Sequence, residues 1–153
     1  MANTNSTYYT NQIGSNGDTR HKTIPRVQSP RIVRVPIDLA GTESANDTHT
    51  ILRMKEGQYV IPGQSYVTTE DAGTTLTANI GDSTDVDRYA VGINLATEGK
   101  VEFCSTTTLP AAELTPFAIT EATQDVQLEI ATTGTPAAAQ VTVYLAIMDE
   151  LAE

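Results

Sequence analysis

The chain has little of the raw material that small enzymes and metal proteins depend on. Among its 153 residues are one Cys, two His, two Phe and no Trp. A single cysteine, Cys104, excludes an internal disulfide, and nothing implies an oxidising compartment. It also excludes a Cys–His zinc set, because no ligand spacing can be assembled from one thiol. Beside Phe103 in an apolar run, Cys104 reads as a small core residue. His21 and His49 fall in no nucleophile or metal spacing, and Gly14, Gly17 and Gly41 precede no helix that could cradle a phosphate. Asp47 and His49 read as loop residues and not as parts of a triad. The sequence therefore supports no enzyme, no catalytic residue, no bound metal and no cofactor.

Long apolar runs are missing as well. None approaches the ~18 residues of a membrane span, so no membrane association is expected. The polar opening "MANTNSTYYTNQ" does not read as a secretory leader, which leaves the Asn-x-Thr triplets at Asn5 and Asn46 without expected glycosylation.

Positive charge is scarce and confined. The chain carries a net charge of −10, yet residues 1–36 hold five bases (Arg20, Lys22, Arg26, Arg31, Arg34) against Asp18, a net of +4. Residues 37–153 hold four bases and eighteen acids, a net of −14. The acidic part repels phosphate backbones, so it is not expected to bind nucleic acid. The first 31 residues show no sustained period and are rich in Asn, Thr, Ser and Gly. Such a segment buries too little surface to offset its own ordering entropy. Pro25, Pro30 and Pro36 favour extended backbone there. We therefore expect an extended basic arm over residues 1–31 and a folded domain over 32–153.

What is abundant is Thr, Ala and Val, the composition of β structure and not of helical bundles. From Ile32 the chain alternates apolar and polar residues. "IVRVPIDLA" places Val33, Val35, Ile37 and Leu39 on one face, and Pro36 marks it as an edge or first strand. Strand candidates follow at "THTILRMK", "QYVIPGQSYVTT", "TTLTANI", "RYAVGINLAT" (Tyr89, Val91, Ile93 and Leu95 inward), "KVEFCS", "DVQLEIAT" and "AQVTVYLAIMD". Glycines at 57, 63, 73, 81, 99 and 134 punctuate them. One-sided alternation predicts antiparallel sheets with one wet face. In "LPAAELTPFAITEAT", Pro110 and Pro116 limit any helix to a turn. The expected fold is all-β: an antiparallel sandwich or jelly roll of about eight strands with an extended N-terminal arm.

One stretch invites a chemical reading. "NIGDSTDVDRYAVG" brings Asp82, Asp85 and Asp87 together just before Arg88. A hand-type calcium loop needs acids at alternate positions, a central glycine and a glutamate at position twelve, and neither register of these aspartates supplies that. An acid–base pair needs two carboxylates held at different pKa values in a cleft, whereas this turn between two strands is expected on a water-exposed rim. The structural reading fits best. Gly81 opens the turn, Asp82 and Ser83 satisfy its backbone groups, and Arg88 pairs with an acid before Tyr89 re-enters the sheet. On that reading, replacing Asp82 and Asp85 by Asn costs little and leaves calcium response unchanged.

That turn, followed by the closing "TTGTPAAAQVTVYLAIMDELAE", resembles small virion proteins of tailed bacteriophages. In these a "GD-x-x-D-x-D-R-[YF]" turn precedes a strand, and an Ala/Thr-rich hairpin ends in an alternating strand. Asp82, Asp85, Asp87, Arg88 and Tyr89 carry the first motif here. The resemblance covers about residues 65–148. It implies a capsid decoration, or cement, protein: a homotrimer on the outer surface of the virion, made in the host cytoplasm, that stabilises the shell by binding the major capsid protein across capsomer joints. The basic arm, with Tyr8, Tyr9, Arg20, Lys22, Arg26, Arg31 and Arg34, is then expected to dock on the shell or on neighbouring subunits. Two other readings stay open: another virion part such as a head fibre, neck or tail component, and a glycan-binding sandwich, which usually needs an exposed aromatic platform.

Overall fold

The computed structural model describes residues 30–105, 117–119 and 122–149. Among the described residues twelve strands follow in chain order: β1 (Arg31–Ala40), β2 (Thr48–Lys55), β3 (Gln58–Val60), β4 (Tyr66–Thr69), β5 (Gly73–Thr74), β6 (Thr77–Asp82), β7 (Ala90–Asn94), β8 (Gly99–Glu102), β9 (Phe117–Ala118), β10 (Thr123–Thr132), β11 (Thr135–Pro136) and β12 (Ala138–Asp149). All pairings among the described strands are antiparallel. Among the described residues the helical content is one 3-10 turn, Pro62–Gln64, which splits "QYVIPGQSYVTT" into β3 and β4.

The first sheet is organised by β12. Along one edge it pairs with β1, from Arg31 opposite Ile147 to Ala40 opposite Ala138. Its other edge is divided between β4 and β3, which continue to β8 and β9. The second sheet runs β2-β10-β6-β7, and β5 with β11 forms a short ribbon beside them. The fold is an all-β antiparallel sandwich.

Period-two burial explains how one sequence makes both faces. Val126, Leu128 and Ile130 of β10 meet Val141, Val143, Leu145 and Ile147 of β12 within one continuous core, and Ile37 and Leu39 of β1 join it. Leu76, Ala78 and Ile80 are wholly buried, as are Met54, Val60 and Val67. At roughly 1.5–3 kcal/mol for each large side chain taken out of water, these interdigitated layers are the main favourable term of the fold.

Two expectations fail locally, each for a register reason. Val91 does not alternate inward with Tyr89 and Ile93. Instead Ala90 and Ile93 are buried, because a bulge opposite Asn79 inserts a residue at Val91–Gly92. Gly92 takes φ +63° there, and its N–H donates to Asn79 Oδ1 at 2.9 Å. Cys104 is not a core residue either. Phe103 takes the fully buried position, and the following residue lies half-exposed.

Candidate functional site

The aspartate turn joins β6 to β7 and is held almost entirely by Asp82. Its backbone N–H and carbonyl both pair with Asp85, at 2.8 and 3.3 Å. Its Oδ1 accepts from Thr84 N–H (2.9 Å), the Thr84 hydroxyl (2.6 Å) and Asp85 N–H (3.1 Å). Its Oδ2 lies 2.7 Å from Arg88 Nε, close but off the line of a good hydrogen bond, so the contact is an ion pair. The expected water-exposed rim is therefore wrong for this residue: Asp82 is 1% exposed. The cause is Gly81. A Cβ at that position would sit 2.1 Å from Asp85's carbonyl oxygen, so only glycine lets the loop fold down over the carboxylate.

The other turn residues lie further out. Asp85 reaches Arg88 only at 3.9 Å. Asp87 hydrogen-bonds Asp85, which together with partial burial and that neighbour's negative charge raises its pKa above the usual carboxylate range. Arg88 also donates to the Thr84 hydroxyl at 3.1 Å. Tyr89 packs wholly inside, and burial first, then the nearby Asp82 charge, pushes its phenol well above the ordinary range. Asp82 thus has Oδ1 occupied by three protein donors and Oδ2 in an ion pair with Arg88. Among the described residues no group of three or more His, Cys, Asp or Glu is placed to hold a metal ion.

The outer face of the first sheet is chemically different. Here β1, β12, β4 and β8 set four side chains in one cross-strand row: Arg34, Tyr144, Tyr66 and Glu102. The Tyr66 and Tyr144 rings stack with centroids 4.4 Å apart and planes 13° apart. Arg34 Nε donates to the Tyr144 hydroxyl at 3.3 Å. On the β8 side Lys100 Nζ lies 4.4 Å from the Tyr66 centroid and 2.9 Å from Glu102 Oε1, and holds the Glu102 carboxyl below its usual range. Tyr66 therefore stands between a second ring and a cation, as cation–π geometry favours. The two stacked tyrosines form a ridge across β4 and β12.

Arg31 and Arg34, assigned from sequence to the arm, are part of β1. Arg31 lies 3.7 Å from Asp149 with both side chains exposed, and no ion pair among the described residues involves Arg34. Tyr8, Tyr9, Arg20, Lys22 and Arg26 lie outside the described residues. Sequence reasoning missed Tyr66, Tyr144 and Lys100, whose outward positions in alternating strands were visible but whose adjacency depends on non-local register. Elsewhere, a hollow of ≈ 250 Å³ on the second sheet is lined by Arg53, Ser83, Thr84, Asp125 and Gln127 among others. Its cation is already engaged, since Arg53 grips Asp125 with two hydrogen bonds of 2.7 and 2.9 Å.

With this geometry in hand, comparison with known proteins is informative at the level of fold. No family model matches the chain, and no curated protein matches it. Two solved structures do. A chain of the cyanophage Pam1 capsid asymmetric unit aligns with TM-score 0.63 at 21% identity, over 82% of this chain and 88% of that one. A chain of the Ralstonia phage GP4 capsid aligns with TM-score 0.62 at 15% identity, over 85% and 90%. The chain has the fold of proteins found in two phage capsids.

Proposed function

We propose that this protein is a structural component of a tailed-phage virion that decorates the outer surface of the capsid and stabilises it by binding the major capsid protein across capsomer joints. The observation that carries the reading is the fold match to chains of two phage capsid structures along nearly the whole length of each. The charge pattern supports it independently. Residues 1–31 carry a net charge of +3 and residues 32–153 a net of −13, which suits an arm reaching onto an acidic surface. In this reading residues 1–31 are the docking arm and 32–153 the body, a homotrimer whose many copies multiply modest contacts by avidity. The role is architectural: separating capsomers then requires uncovering the surface buried beneath each trimer.

The test is co-sedimentation of the full chain with shells prepared without it, alongside its native mass by light scattering, each with and without residues 1–31. The expected result is a trimer in both forms, with shell binding lost on removal of the arm. A monomer that ignores the shells would overturn the reading.

A further inference from the structure

The open edge of β1 is guarded along one half and left unguarded along the other. Ala146, opposite Ile32, donates its N–H to Ser65 Oγ (3.0 Å) and accepts from Ile61 N–H (2.9 Å) on the far side of β12. Gln140, opposite Asp38, likewise exchanges its backbone groups with Glu70, at 3.1 and 3.2 Å. In an antiparallel pair a residue turns both backbone groups the same way, and the direction alternates along the strand. Ile32, Arg34, Pro36, Asp38 and Ala40 therefore present their backbones away from β12, and no strand among the described residues pairs with them.

From the middle onward this edge is closed to pairing. Pro36 has no N–H to offer. The Glu43 carboxylate, itself only 9% exposed, accepts the N–H groups of Ala40 and Gly41. Proteins blunt strand edges in such ways to prevent indiscriminate pairing. Ahead of Pro36 neither device is present among the described residues. The N–H groups of Ile32 and Arg34 face outward, the Ile32 side chain is 55% exposed, and Arg34 lacks a carboxylate among the described residues. The combination is two outward main-chain donors with no strand partner among the described residues, an apolar contact, and a guanidinium that reaches the Tyr144 hydroxyl but no carboxylate there.

We infer that Arg31–Val35 is a strand-addition site for an extended, carboxylate-bearing segment of a partner protein. Resting on the proposed function, that partner is the shell. The segment adds a short strand against Ile32 and Arg34, covers Ile32, and places an acidic side chain on Arg34. Main-chain pairing supplies affinity, and the charge supplies selection and register. Charge complementarity favours this occupant, since Arg31 and Arg34 end the basic stretch of an otherwise acidic chain.

The test uses the full chain and shells prepared without it. Ile32→Pro deletes one outward N–H while sparing the pairing with β12, and Arg34→Glu reverses the charge with the backbone intact. Lys55→Glu makes the same charge change on an exposed β2 residue of the other sheet. Each of the first two is expected to weaken shell binding roughly tenfold or more, and the third by less than about twofold. Amide exchange at Ile32 and Arg34 is expected to be fast in the free chain and slow on the shell. Normal binding by both variants, with the unmodified chain bound, overturns the site and leaves the proposed function standing. A fall in native mass in Ile32→Pro or Arg34→Glu overturns it in favour of a second copy. Faster exchange at these amides after removal of residues 1–29 overturns it in favour of the chain's own arm. Failure of the unmodified chain to bind shells overturns site and function together.

Discussion

Replacing Asp82 by Asn tests the account of the aspartate turn most sharply. The substitution keeps size and shape, so Oδ1 can still accept from Thr84 and Asp85. What changes is the oxygen 2.7 Å from Arg88 Nε, which becomes an amide donor facing a donor. Removing one partner of a buried ion pair costs ~3–5 kcal/mol when the survivor is fully enclosed. Arg88 is 30% exposed and recovers some hydration, so the expected loss is about 2–3 kcal/mol. For a chain of this size that lowers the melting temperature by roughly 5–10 °C. Asp85→Asn, at a side chain 46% exposed and 3.9 Å from Arg88, should cost less than about 0.5 kcal/mol. Urea unfolding followed by tyrosine emission, in a chain without Trp, reads both variants. Equal small losses at the two positions would refute the argument, because then burial of Asp82 would carry no energetic weight. A large calcium-dependent shift in the unmodified protein would refute it differently, by showing that the carboxylate is free to leave its protein donors.

Two further outcomes follow from the same turn. Gly81→Ala places a methyl 2.1 Å from Asp85's carbonyl and should destabilise by ~2–4 kcal/mol, measured as a urea midpoint; a neutral result would mean the loop does not lie over Asp82. Asp87 has a raised pKa in the fold, so the folded state binds its proton more tightly than the unfolded chain, and stability falls as pH rises from the ordinary Asp range through the raised value. Asp87→Asn should therefore gain about a few tenths of a kcal/mol at pH 7, a gain that vanishes as pH falls below the ordinary Asp range and Asp87 is protonated whether folded or unfolded; a loss at pH 7 would contradict the raised pKa.

The strands were legible because each states its own burial in a period of two. Val126, Leu128 and Ile130, or Val141, Val143, Leu145 and Ile147, need no partner to declare which face is apolar, and the sheets bury them as their alternation implies. Pro36 likewise marked its strand as peripheral, and β1 is an edge of its sheet. Failures came where a single insertion breaks the period. Nothing in "AVGIN" distinguishes a strand passing straight through from one bulged at Val91–Gly92, because the bulge is fixed by Asn79 on a neighbouring strand. The burial of Asp82 was illegible for a similar reason. Its carboxylate is enclosed only because Gly81 allows Asp85's carbonyl to approach.

The same distinction explains why the sequence, which pointed to Arg31 and Arg34 among the basic residues of the arm, could not narrow the docking strip to them. From the residues alone, the basic stretch of 1–36 is uniform, and its arginines carry equal weight. Pairing β1 with the full length of β12 makes them unequal. Register sends the backbone of Arg34 outward and its side chain onto the ridge of Tyr144, while Arg31 lies within reach of Asp149. Register also brings the Glu43 carboxylate back over Ala40 and Gly41, so that one half of the edge is closed by the chain itself. A strand guarded uniformly would be a plain solubility device. A strand guarded only beyond Pro36, with Ile32 exposed on the unguarded side, has the asymmetry that a directional partner requires, because such a partner can add at one end and in one register alone.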